Sequence, residues 1–150
     1  KGAPFQPEID QRFHDLEGPA SAEEGIGSLH VAKAIYNVAV DGGSSAVTYN
    51  LGVTIPAGAL IVRSFMEVAT KFVASVEGSK LALKCQTAGN ILAAANIHAY
   101  DPDSIIEGVS TGASSLMRKV TADCNISANL TDSDMSAGKL AIFVEYVIGR

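Results

Sequence analysis

The sequence predicts an all-β domain, an antiparallel jelly-roll-like sandwich or barrel, behind an extended N-terminal arm. Three observations predict it. From Leu29 onward, apolar and polar residues alternate with period two through seven or eight runs. Turn chemistry separates these runs, as at Asp41-Gly42-Gly43, Ile55-Pro56-Ala57-Gly58 and Glu77-Gly78-Ser79. No segment carries a convincing helical stripe, which leaves the all-β architectures.

Residues 1–28 form the expected arm and residues 29–150 the sandwich domain. The arm holds Glu8, Asp10, Asp15, Glu17, Glu23 and Glu24 against Lys1 and Arg12, so it carries most of the net charge of -5. Pro4, Pro7 and Pro19, with Gly2, Gly18 and Gly25, break any long element. Its apolar residues are Phe5, Ile9, Phe13, Leu16 and Ile26. Two phenylalanines in so polar a stretch favour an arm that docks on something over a solvated tail.

The first strand is expected over Leu29–Val40, with His30, Ala32, Ala34, Tyr36, Val38 and Val40 on one face. A second runs through Ala46–Thr54. Leu60–Val76 is a long strand with Leu60, Val62, Ser64, Met66, Val68 and Thr70 together, Arg63, Glu67 and Lys71 opposite, and a bulge near Phe72. In Lys80–Gln86, Leu81, Leu83 and Cys85 point one way. Ala-rich Thr87–Ala95 cannot be typed by periodicity. Asn96–Tyr100 reads as a short strand stopped by Asp101-Pro102-Asp103. A Gly- and Ser-rich loop follows, enclosing a short strand at Ile105–Val109. The clearest alternation is Lys119–Thr131, with Val120, Ala122, Cys124, Ile126, Ala128 and Leu130 inward. After a loop at Asp132–Gly138, the last strand carries Leu140, Ile142, Val144, Tyr146 and Ile148 on one face and an almost equally apolar second face. It is expected to be central or covered by a partner, since an exposed apolar edge invites aggregation. The similar stretches Ala57-Gly58-Ala59-Leu60 and Ala137-Gly138-Lys139-Leu140 read as repeated turn chemistry, not as a duplication.

Composition narrows the function. With 150 residues, one domain buries about 68–70% of the surface its unfolded chain exposes. A charged fraction of 18% against 47% hydrophobic residues excludes general disorder. The acidic balance argues against direct nucleic-acid binding, and no apolar run reaches the ~18 residues of a membrane span. No signal peptide is expected, because no basic stretch followed by an apolar one opens the chain. Aromatic residues are 6% and Trp is absent, so the core is built from small side chains. That makes a thin hydrophobic margin, which oligomerisation would widen.

Chemistry-bearing residues do not gather into a motif. His14, His30 and His98 are scattered, and no nucleophile or metalloprotease pattern occurs. Asp101-Pro102-Asp103 and Asp132-Ser133-Asp134 lack the length and glycine placement of a calcium loop. The expectation is a protein that is not an enzyme and has no cofactor or metal. Cys85 and Cys124 form no C-x-x-C pattern; one disulfide fits them, and buried free thiols are the favoured reading. The partner-interface candidates are Phe5, Ile9, Phe13 and Leu16 in the arm and Phe143 and Tyr146 in the last strand.

The stretch Leu51-Gly52-Val53-Thr54-Ile55-Pro56-Ala57-Gly58-Ala59-Leu60-Ile61-Val62-Arg63-Ser64-Phe65 resembles small β-rich structural proteins of tailed bacteriophages. So does Ala137-Gly138-Lys139-Leu140-Ala141-Ile142-Phe143-Val144-Glu145-Tyr146-Val147. The resemblance spans roughly Ala46–Ile148 and omits the arm. It implies a virion protein assembled in the host cytoplasm, and among such proteins a capsid decoration or cement protein at the capsid surface. The implied partners are the major capsid protein and further copies of the chain, as a homotrimer. No catalytic residue is implied. The alternatives are a head-fibre or tail component and a carbohydrate-binding jelly roll for host attachment.

Overall fold

The computed structural model describes residues 28–108 and 118–149. The arm, with Phe5, Ile9, Phe13 and Leu16, lies outside the described residues.

Among the described residues, nine strands run in chain order: β1 (Leu29–Asn37), β2 (Thr48–Ile55), β3 (Ala59–Ala74), β4 (Lys80–Cys85), β5 (Thr87–Ala95), β6 (Ile105–Glu107), β7 (Arg118–Lys119), β8 (Cys124–Thr131) and β9 (Met135–Ile148). One sheet has the order β1-β9-β3-β6, with β7 also pairing β3, and the second has the order β2-β8-β4-β5. All pairings are antiparallel. The chain passes from one sheet to the other at every connection except β4–β5 and β6–β7, and the two sheets pack as a jelly-roll-like sandwich. The core lies between them. Ala34, Tyr36, Met66, Val68, Leu140, Ile142 and Val144 of the first sheet are buried with Leu81, Leu83, Ile126, Ala128 and Leu130 of the second. β9 is central, between β1 and β3, as its two apolar faces require.

Local chemistry sets several boundaries that periodicity misplaces. β1 stops at Asn37, not Val40. The Asn37 side chain accepts the Ala39 N–H at 3.1 Å, and Asp41 Oδ2 accepts the Asn37 N–H at 2.8 Å, so the chain enters a one-turn helix, α1 (Val38–Asp41). Val40 is thereby exposed. In β3 the register shifts between Ile61 and Arg63 and again between Val68 and Thr70. The first shift moves the inward set from Ile61 to Ser64, Met66 and Val68, and the further shifts between Val68 and Ala74 leave Thr70 exposed and Phe72 buried; Val62 and Thr70, expected on one face with Ser64, Met66 and Val68, are exposed.

Thr87–Ala95 is a strand, and Ile97–Ala99 is a 3-10 turn where a strand was expected. The alternation at Lys119–Thr131 is not one strand either. Val120 donates its N–H to Ala59 and accepts from Gly58, both at 2.7 Å, and Asp123 Oδ1 accepts the Ala57 N–H at 2.8 Å. The segment between β7 and β8 clips the turn joining β2 to β3, and Ala122 is exposed, not inward. β9 begins at Met135, inside the expected loop. Gly138 therefore lies within a strand, at φ 144°, beneath the Phe72 ring; a Cβ there would stand 2.1 Å from Phe72 Cδ1. Gly58 alone of the two similar stretches is a turn glycine, at φ 86°.

The cysteines are bonded to each other, which corrects the free-thiol expectation. Cys85 closes β4 and Cys124 opens β8, and these strands pair directly. The two Cα atoms stand 5.5 Å apart, within the ordinary reach of a disulfide. A sequence separation of 39 hid this proximity.

Candidate docking surface

The outer faces of the two sheets differ in chemistry. On the first sheet, the positions between core residues follow from the register. One row runs Lys33–Phe143–Phe65–Glu107 across β1, β9, β3 and β6. The row above it is Ile35–Ala141–Glu67–Ile105, and the row below is Val31–Glu145–Arg63. A further row is Leu29–Val147–Leu60. Leu29, Val31, Ile35 and Ile105 are 56%, 55%, 45% and 60% exposed, so the face shows water a large share of aliphatic surface.

Two aromatic rings sit at its centre. Phe65 and Phe143 stack with centroids 5.0 Å apart and an interplanar angle of 14°. Cations bracket the pair: Lys33 Nζ stands 5.5 Å from the Phe143 centroid, and Arg63 Cζ 5.0 Å from that of Phe65. Arg63 Nε also donates to Glu107 Oε1 at 3.3 Å. Both rings are half-buried in the isolated chain. A stacked pair held flat by its neighbours is a preorganised anchor, since little side-chain entropy remains to be lost when a partner covers it.

The outer face of the second sheet is uncharged and polar across β2 and β8. Thr48, Asn50 and Thr54 face Asn129, Ser127 and Asn125. Thr54 donates its hydroxyl to Asn125 Oδ1 at 2.7 Å, and Asn129 Nδ2 donates to Thr48 Oγ1 at 3.2 Å. Hydroxyls and amides that satisfy one another and water need no partner. The face of the first sheet, where exposed aliphatic and charged residues surround the stacked aromatic pair, is the docking candidate.

Among the sequence-derived candidates, Phe143 lies at the centre of this face. Tyr146 lies on the other side of β9, stacked on His30 with ring centroids 5.3 Å apart and packed against the core. Phe65 was missed, because only the β3–β9 register places it beside Phe143. Among the described residues, no three His, Cys, Asp or Glu side chains gather as a metal ion would require, and no helix is long and apolar enough to cross a membrane.

No family model matches the chain, and no curated protein sequence does. Solved structures do match its fold. A chain of the cyanophage Pam1 capsid asymmetric unit superposes with a TM-score of 0.62 at 13% identity, over 82% of this chain and 86% of that one. A chain of the acid-stable capsid of Helicobacter pylori bacteriophage KHP30 gives 0.56 at 17% identity, over 81% and 89%. A chain from the capsid of Ralstonia phage GP4 gives 0.57 at 16%, over 81% and 86%. The sandwich is thus a fold found in bacteriophage capsid structures.

Proposed function

We propose that the chain is a structural protein of a bacteriophage capsid, and within it a decoration or cement protein that binds the major capsid protein and stabilises the shell. The observation that carries this reading is the fold likeness to chains of three phage capsids over more than four-fifths of each chain. The contrast between the two sheet faces supports a docked rather than a free protein. In this reading the Phe65–Phe143 face lies on the shell, and the hydroxyl- and amide-rich face of the second sheet points to solvent. Residues 1–28 reach neighbouring subunits, with Phe5, Phe13 and Leu16 as anchors. The assembled unit is a trimer at the capsid surface. Its role is mechanical: each bound copy adds buried interface across a capsid joint, and a tethered arm gains from effective concentration. No reaction is ascribed to it.

Binding to expanded capsids that lack the protein tests this. A Phe65→Gln/Phe143→Gln variant with unchanged circular dichroism should bind at least ~30-fold more weakly, the size of a central aromatic hot spot of about 2 kcal/mol. Removal of residues 1–28 should also lower occupancy. Full occupancy by both variants would overturn the proposal.

A further inference from the structure

Among the described residues, β1 is the most regular sheet edge. It runs nine residues against β9, from Leu29↔Val147 to Asn37↔Lys139, without a register shift. The other terminal strands are less regular: β6 has three residues, and the pairings of β2 and β5 are interrupted by shifts. Among the described residues, β9 is the strand that pairs with β1, so every second residue of β1 turns its backbone N–H and C=O away from the sheet. No proline or bulge protects this edge, and Lys33 is its one charged side chain.

We infer that β1 pairs, antiparallel, with β1 of a second copy, joining two sandwiches through one continuous sheet. The strand's own sequence selects the register. Facing residues must share a face, so the candidate registers step by two. Aligning Lys33 with its own copy sets like charges directly opposite, which is destabilising. Registers that carry Asn37 into the new ladder meet a backbone N–H already donated to Asp41. Placing Ala32 opposite Ala32 of the second copy avoids both, and it pairs residues 29–35, whereas Val31 opposite Val31 would pair only 29–33. Leu29 then faces Ile35 and Val31 faces Lys33 on the outer side, while on the inner side Ala32 faces Ala32 and Ala34 faces His30. All three exposed aliphatic residues of β1 are used. Residues 1–27 of the same chain are a poor occupant, since their prolines, glycines and acidic residues form no alternating run. The pair is two-fold and closes on itself, so it is distinct from any three-fold contact, and it does not depend on the capsid reading.

Full-length Val31→Cys and Lys33→Cys proteins, oxidised singly and as a mixture, test the register. The mixture should yield a covalent dimer on a non-reducing gel, at least tenfold more than either variant alone. No dimer in the mixture, or equal dimer from a single variant, would overturn the pairing. Hydrogen exchange of wild-type residues 29–36 should also slow as protein concentration rises. Protection independent of concentration would overturn it, as would a cross-link from residue 31 to residues 1–27 or to another chain of the particle.

Discussion

Replacing both cysteines, Cys85→Ala with Cys124→Ala, measures what the bond between β4 and β8 contributes. The bond closes a loop with a sequence separation of 39. Loop-closure entropy for a loop of that size corresponds to about 4 kcal/mol at 25 °C. In a chain of this length, 1 kcal/mol shifts the melting temperature by about 2–4 °C, so the variant should melt about 8–16 °C below wild type. The substitutions delete small side chains, so lost packing adds little to this. Scanning calorimetry of wild type and variant, each with and without reductant, isolates the effect. Reductant should bring wild type down to the variant and leave the variant unmoved. A wild type that shifts by less than about 2 °C on reduction would refute the reasoning. So would two thiols that react after unfolding without reductant.

Three further outcomes follow from the packing. Gly138→Ala should lose about 3 kcal/mol or more in denaturant titration, because its Cβ would enter the Phe72 ring at a positive φ; Phe72→Leu in the same chain should restore part of the loss. Ala46 sits at φ 62° while its N–H bonds to Leu130, so Ala46→Gly should gain about 0.5–1 kcal/mol by the same measurement. Tyr36 is buried, with its hydroxyl donated to Gly42 O at 2.7 Å; burial first, then Tyr49 and Asp41, raises its pKa above the ordinary 10.0. The folded state therefore holds this proton more tightly than the unfolded one, and the stability it provides is complete below pH 10 and lost as the pH rises further. Tyr36→Phe should lose about 1 kcal/mol at neutral pH yet fall less steeply above pH 10, and parallel alkaline slopes would exclude Tyr36 as the titrating group.

Period-two alternation makes β1, β4 and the later parts of β8 and β9 legible from sequence, because each has one face in the core and no bulge within the readable run. It fails where a local hydrogen bond decides. Asn37 and Asp41 turn an apparent strand into α1, and Val120 leaves its strand to bond the β2–β3 turn. It fails again in β3, where register shifts change which residues face inward. The docking face is only half legible. Phe143 stands out in a strand apolar on both sides, but its pairing with Phe65, and the cations bracketing the two rings, exist only once β9 is placed against β3. Cys85 and Cys124 are joined for the same reason, since sequence spacing carries no information about which strands become neighbours.

A map of purified particles containing this protein tests the central claim most directly. The sandwich should appear in many symmetry-related copies across the outer surface of the shell, with the Phe65–Phe143 face toward the major capsid protein. Density at a single vertex or along the tail, or that face turned to solvent, would contradict it.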